Sequence, residues 1–431
     1  MFFQYNPEGP IWGDMSWSHA ISDDMLHWEN YPLAFTMTPG GPDAAGCFSG
    51  STILSEHEGK PRVYAIYTGV VRDKVHETVR NEGLAESQCL AWSDDPMLGQ
   101  WTKHSQAVVP TPPKGLAITG FRDPSAWREG DEYFLTVGSG VEKVGGCVLL
   151  YRSKDLVEWE YMHPLVSGAW NGRFTPNPVG DGEMWECPEF FPLDGRHVLI
   201  YSSMGKVFWQ SGVLDRVTMK FQAKKSGLLD LDAFYAPKTQ LDARGRRILW
   251  GWIPERRPQA EMIKAGWSGM MSLPRILNLD SDGSLRMQVL PEAAALRSAP
   301  IEILNSTVTL RSATGEVLCV GKKGTNMDVA LTLGSTKLLR LKYSSEENAW
   351  LCDGRKIALE GPDIPEVHAF VDGSVVEMML SGRVGYTKRF YYSGAIAPDI
   401  TIWTNGLESI LKAWTIKPIS HDRLTTMNTF V

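Results

Sequence analysis

Ser22-Asp23-Asp24-Met25-Leu26-His27-Trp28 has two counterparts further along the chain: Ser93-Asp94-Asp95 leading to Trp101, and Ser153-Lys154-Asp155 leading to Trp159. The copies begin 71 and then 60 residues apart. In each, an apolar run gives way to a Ser-x-Asp turn that leads into a tryptophan. Repetition on that scale marks a supersecondary unit set around an axis, with one aromatic per unit filling the seam to its neighbour. This reads as a β-propeller. Three coincidental turns in a tryptophan-rich chain are the alternative, because only three positions define the motif.

Outward from these turns, short β-branched and aromatic runs bounded by Gly, Pro, Asn and Asp recur from residue 1 to about 290. Residues 61–68, 132–138, 148–152, 197–202 and 247–252 are examples. Helical periodicity is nearly absent. Leu290-Pro291-Glu292-Ala293-Ala294-Ala295-Leu296 then breaks the pattern with a short Ala-rich helical stretch. It divides the chain into a propeller over residues 1–289, a linker over 290–302 and a second unit over 303–431. In that second unit, runs at 306–310, 337–343, 367–371, 375–380 and 400–403 recur with turn residues between them, the pattern of an antiparallel β-sandwich. The nearest approach to a charge block, Pro254-Glu255-Arg256-Arg257-Pro258, reads as a surface loop. The fold class expected is all-β throughout.

Of 431 residues, 43 are Lys or Arg and 50 are Asp or Glu, a net charge of −7, and 43% are hydrophobic. That balance builds large cores and excludes wholesale disorder. It leaves no electrostatic footprint for nucleic acid or an anionic membrane, so the expected partner is neutral. No apolar run approaches the ~18 residues of a spanning helix. The six cysteines, Cys47, Cys89, Cys147, Cys187, Cys319 and Cys352, form no C-x-x-C pair and read as buried thiols. The nine histidines fall in no zinc-binding pattern, so neither a metal nor a cofactor is expected. Met1-Phe2-Phe3-Gln4-Tyr5 shows neither a basic region nor a cleavage site of a secretory signal. Mild acidity and the lack of disulfide design favour the cytoplasm and leave export open. Oligomeric state is open as well.

Two segments look more like sites than core. In Gly120-Phe121-Arg122-Asp123-Pro124, a charged dipeptide precedes a proline that denies the backbone a ladder hydrogen bond. In Trp185-Glu186-Cys187-Pro188, Glu186 stands among apolar neighbours, whose desolvation would raise a carboxyl pKa as a general acid requires. A local salt bridge and a solvated loop acid are the plainer readings of the two. Sixteen tryptophans, with amides and carboxylates between them, suit a hydroxylated ligand whose C–H faces stack on rings.

Taken together, Phe3-Gln4-Tyr5-Asn6-Pro7, Ile11-Trp12-Gly13, the 17–28 segment, Phe48-Ser49-Gly50-Ser51, Phe121-Arg122-Asp123-Pro124, Trp185-Glu186-Cys187-Pro188, Phe234-Tyr235-Ala236-Pro237 and Ile248-Leu249-Trp250-Gly251-Trp252 resemble glycoside hydrolase family 32. This family holds the invertases, inulinases, levanases and fructosyltransferases. Phe370-Val371-Asp372-Gly373-Ser374-Val375-Val376-Glu377 is similar to the family's C-terminal sandwich. The resemblance implies a five-bladed propeller followed by a sandwich, and cleavage of terminal fructosyl units from sucrose, fructo-oligosaccharide or fructan with retention of configuration. It casts Glu186 as the acid/base and Asp123 as the holder of fructosyl hydroxyls and of the oxocarbenium-like transition state. Arg122 would pair with the site carboxylates. Gln4, Trp12, Phe48 and Ser49 match the fructose subsite. Asp230 falls near the acidic donor-binding position, with Asp232 as the alternative, and Trp252 lies where loop shape would separate transfer from hydrolysis.

One departure is large. The family's nucleophilic aspartate belongs to an N-D-P segment shortly before the Q-Y-N-P motif, and no such segment occurs in this sequence. The expectation is therefore an N-terminally truncated enzyme with an incomplete first blade and doubtful activity. A fructoside-binding protein without catalysis and a fructosyltransferase are the alternatives.

Overall fold

The structure is a computed structural model that describes residues 1–72, 78–80, 83–359, 363–392, 397–405 and 410–419. The last part of the expected sandwich, 420–431, lies outside the described residues. Strands dominate, as the alternating and apolar runs predict. The first sheet pairs Phe2–Tyr5, Ser16–Ile21 and Glu29–Phe35. The second holds Cys47–His57, Lys60–Arg72, Leu84–Ser93 and Thr102–Lys103. The third runs Ile118–Glu129, Glu132–Val141, Gly145–Ser153 and Glu160–Ser167. Next come Glu186–Leu193, Arg196–Ser203, Lys206–Asp215 and Lys220–Asp230, and then Tyr235–Leu241, Arg247–Ile253, Arg275–Leu279 and Leu285–Val289 with Met270–Met271 at the edge. Consecutive strands pair antiparallel because their connections are short.

The repeated Ser-x-Asp element has one geometry. Ser22 Oγ accepts the Met25 N–H at 2.8 Å, and Asp24 Oδ1 accepts those of Leu26 and His27. Ser153 and Asp155 repeat this on Leu156, Val157 and Glu158. Asp95 takes the Met97 and Gly99 amides. Met25, Leu98 and Leu156 each take the left-handed conformation that the turn requires. The tryptophans fill seams, as expected: Trp101 packs on Phe2 and Phe35 of the first sheet, and Trp28 on Trp250 of the last, with ring centroids 5.3 Å apart. Trp159 packs on the core shared by the second and third sheets. A fourth copy escaped the sequence reading. Asp215 accepts the Val217 and Thr218 amides, Met219 is left-handed, and Phe221 takes the place of tryptophan. In the second to fourth sheets the turn follows the third strand; in the first it follows the second described strand, Ser16–Ile21.

The Ala-rich stretch forms a 3-10 helix, Pro291–Leu296. Beyond it, Thr307–Leu310, Ile400–Thr404, Met327–Leu333, Thr336–Ser344, Ala349–Cys352 and Arg355–Ala358 make one sheet. A facing sheet holds Val384–Arg389, Val375–Leu380, Glu366–Asp372, Thr314–Val320, Ile410–Ile416 and Arg297–Pro300. Trp350, fully buried, sits in the core they share with Val376, Met378 and Ile402. This second sheet continues the Lys220–Asp230 strand through the parallel pairing of Asp230 with Gly385. The 254–258 segment is less of a surface loop than expected. Glu255 is buried between Arg257 and Arg389, and these partners hold its carboxyl well below its ordinary pKa despite burial.

Candidate active site

Four sheets start with a strand that is interrupted near its beginning. Register shifts fall between Cys47 and Gly50, Arg122 and Ser125, Glu186 and Glu189, and Tyr235 and Lys238. Three of these share one sequence device. In Arg122-Asp123-Pro124, Glu186-Cys187-Pro188 and Tyr235-Ala236-Pro237, the middle residue has φ of +66°, +49° and +48°. The proline after it has no N–H for the ladder. A left-handed residue that is not glycine costs on the order of 1–2 kcal/mol. That cost is offset by aiming the residues on either side of the bulge away from the regular pleat. The displaced amides are recaptured: Asp123 N–H donates to Thr68 Oγ1 at 2.8 Å, and Ala236 N–H to Ser202 Oγ at 3.1 Å, each hydroxyl coming from the second strand of another sheet.

The three bulges converge. Arg122 donates through Nε and Nη2 to Glu186 Oε1 at 3.0 and 2.8 Å, and Tyr235 Oη donates to Glu186 Oε2 at 2.7 Å. Asp123 Oδ2 accepts the Cys187 N–H at 2.9 Å, next to Glu186 in the chain. The structure thus brings Asp123, Arg122 and Glu186 together from strands 64 residues apart. Glu186 retains 19% side-chain exposure, whereas Asp123 is 4% exposed. Burial, and after it the Glu186 charge, pushes the Asp123 carboxyl up to about 6, against the pull of Arg122. Burial and Glu186 likewise push the Tyr235 hydroxyl far above its ordinary range, so it acts here as a hydrogen-bond donor.

Several of these partners were not read from the sequence. Glu86 pairs with Arg122 Nη1 at 2.8 Å and takes the Phe121 N–H at 2.7 Å, and nothing in its local sequence announces it. Glu189 is fixed by Ser125, Lys238 and Thr239. Burial most strongly opposes the Lys238 charge, but Glu189, together with Cys187 and Asp123, raises the ammonium pKa on balance. Tyr235 had a readable signal: it precedes the same x-Pro step as Arg122 and Glu186.

The expected fructose-subsite residues also gather. Gln4 Nε2 lies 3.2 Å from Ser49 Oγ, and the exposed Trp12 ring meets Phe48 edge-on with centroids 5.3 Å apart. Phe48 and Ser49 occupy the bulge of Cys47–His57, and Ser51 of that strand accepts the Ala126 N–H of the strand that carries Asp123. Trp252, 39% exposed, pairs in register with Tyr235.

Asp230 is a correction. It is fully buried away from this cluster, held by Arg275 at 2.9 Å and by the Thr387 N–H and Oγ1 at 3.0 and 2.8 Å, so no oxygen is left for a sugar. Asp232, the alternative, is ion-paired with Arg256. Among the described residues no group of three or more His, Cys, Asp or Glu side chains is placed to hold a metal ion.

Residues 1–289 match the family model for the glycosyl hydrolases family 32 N-terminal domain. The sucrose-6-phosphate hydrolase of Escherichia coli is 32% identical over 424 residues, covering 90% of this chain and 83% of its own length. An insoluble beta-fructofuranosidase isoenzyme of Oryza sativa subsp. indica is 31% identical over 370 residues, and the match spans 58% of its length. Both are named glycosidases. Among solved structures, a GH32 beta-fructofuranosidase of Bombyx mori superposes with a TM-score of 0.78 at 24% identity, over 97% of this chain and 88% of its own. Fructan 1-exohydrolase IIa of Cichorium intybus reaches 0.77 at 22% identity. With that match over the whole site-bearing part, and the Arg122, Asp123 and Glu186 cluster inside it, the chain belongs to glycoside hydrolase family 32.

Proposed function

We propose that this protein is a fructosyl hydrolase that cleaves terminal fructosyl units from sucrose or fructo-oligosaccharides by a retaining mechanism. The observation that supports this best is the convergence of Asp123 and Glu186, with both Glu186 oxygens engaged, one by Arg122 and one by Tyr235. Glu186 protonates the glycosidic oxygen and later draws a proton from water. Asp123 accepts fructosyl hydroxyls and faces the positive charge that develops on the ring. Gln4, Trp12, Phe48, Ser49 and Trp252 line the sugar. Residues 1–289 form the site-bearing unit, read as five blades, and the sandwich braces it; the expected 290–302 linker is shorter than the sequence suggests, because Arg297–Pro300 already pairs into the sandwich sheet.

A retaining glycosidase also needs a nucleophilic carboxylate, and none of the described residues is assigned that role. This favours, as a second reading, a fructoside-binding protein that does not catalyse. Fructose release from sucrose separates the two. The hydrolase reading expects the protein to release fructose from sucrose; the binding reading expects it to bind sucrose and release none. Glu186→Gln lowers the rate of release by about 10²–10⁴-fold. Robust release that survives Glu186→Gln overturns the assignment of roles. Sucrose binding with no release establishes the binding-protein reading instead.

A further inference from the structure

We infer that Glu189 is a positioning residue whose carboxylate ties the three site-bearing strands together just beyond their bulges, and so holds Arg122, Asp123, Glu186 and Tyr235 against one another. The inference rests on the fructoside reading of that cluster. Ile118–Glu129, Glu186–Leu193 and Tyr235–Leu241 belong to three different sheets, so no backbone ladder fixes the distance between them. Each is also bulged where its site residue stands. The ladders resume at Ser125, Glu189 and Lys238, the first residues back in register after the three bulges. Glu189 meets the other two. Its Oε1 accepts hydrogen bonds from Ser125 Oγ at 2.8 Å and Lys238 Nζ at 3.0 Å, and its Oε2 from the Thr239 N–H at 3.0 Å and Thr239 Oγ1 at 2.9 Å. Lys238 Nζ also donates, at 3.4 Å, to the carbonyl of Pro188 inside the Glu186 bulge.

These donors fill the roughly four acceptor sites of one carboxylate. Glu189 is 6% exposed and has no oxygen left for a sugar or for a proton in transfer, so its part in the site is to hold. Stability alone does not call for a charge at this place, since packed apolar side chains of similar volume serve a buried position as well or better. What an apolar group lacks is direction. Hydrogen bonds to the third and fifth sheets fix both the spacing and the tilt of the Glu186 strand, and a bulged strand needs that, because the residues of the bulge have lost their ladder partners. An amide cannot take over. Its NH₂ would face either Lys238 Nζ or the Thr239 N–H, donor against donor.

The test compares the full chain with its Glu189→Gln variant in two readouts. One is the calorimetric affinity for a sucrose analogue with sulfur in the glycosidic position, which is not cleaved. The other is the Arg122 Nε–H resonance, which reports the hydrogen bond to Glu186 without any sugar. Glu189→Gln weakens analogue binding about 10-fold or more and shifts the resonance. Glu316→Gln, which disrupts a buried carboxylate's pairing with Arg297 in the sandwich, lowers the melting temperature and moves neither readout. If Glu189→Gln does not fold, Ser125→Ala carries the test: it removes one donor, weakens binding about 2- to 10-fold and shifts the same resonance. Parent affinity in the folded variant, or an unchanged resonance, overturns the inference while the fructoside reading stands. If the parent binds no analogue, the fructoside reading falls, and the resonance alone decides whether Glu189 holds the cluster.

Discussion

Asp123 shows how one side chain trades stability for chemistry. Its folded-state pKa of about 6 lies above the ordinary 3.8, because burial and then Glu186 disfavour its charge. Below about pH 4 both folded and unfolded chains hold the proton, so the residue costs nothing. As pH rises through 6 the unfolded chain has already released it, and the fold loses stability, by on the order of 1–3 kcal/mol at neutral pH. Asp123→Asn therefore raises the urea midpoint at pH 7 and leaves it unchanged at pH 4, while weakening the proposed fructoside turnover. A midpoint that falls at both pH values would show that the carboxylate is needed for folding. The residue types at this site are legible in the sequence: R-D-P and E-C-P stand out, since charged residues beside prolines seldom belong in a regular strand. Glu86 and Lys238 were not legible, because a lone charge in a strand reads as solvent-facing until packing covers it.

At the scale of elements, the repeated turn and the repeated bulge do different work. The Ser-x-Asp turn closes each outer hairpin and presents an aromatic to the preceding sheet. Asp155 there accepts two backbone amides that would otherwise lose a partner, so Asp155→Ala costs about 1–2 kcal/mol, whereas Glu158→Ala, on the exposed side of the same turn, is near neutral. Thermal melts of the two variants check this, and equal melting temperatures would refute the capping role. The turn was readable because its hydrogen bonds are local, made within three residues. The bulge was half-readable: x-Pro can be seen, but that Asp123, Cys187 and Ala236 share a left-handed conformation is a property of the folded strand. The copy at Asp215 was missed because phenylalanine replaces tryptophan and the serine is gone, although the carboxylate cap persists.

Over the whole molecule, the site-bearing sheets and the sandwich are joined by a buried charge network. Arg275, fully buried, pairs with Asp230 and Glu377 and stacks on Phe234 with its guanidinium carbon 4.1 Å from the centroid. Burial raises the Glu377 pKa in spite of Arg275. Arg275→Met leaves two carboxylates uncompensated and costs about 3–5 kcal/mol. Scanning calorimetry reads the consequence: one cooperative transition in the parent, two in the variant, as the sandwich and the sheets melt apart. A single transition of unchanged midpoint would mean that the network does not couple them. Asp230 belongs to this network and not to the Glu186 cluster because its neighbour in space, Thr387, is 157 residues away, a distance that no local pattern reports. The sequence alone determined the all-β class, the repeat and the chemical identity of Asp123, Arg122 and Glu186, since these depend on local turn chemistry and residue type. Only the tertiary structure decided which carboxylate joins the Arg122 and Glu186 cluster and which faces the buried Arg275, because partner and desolvation are set by residues far apart in the chain.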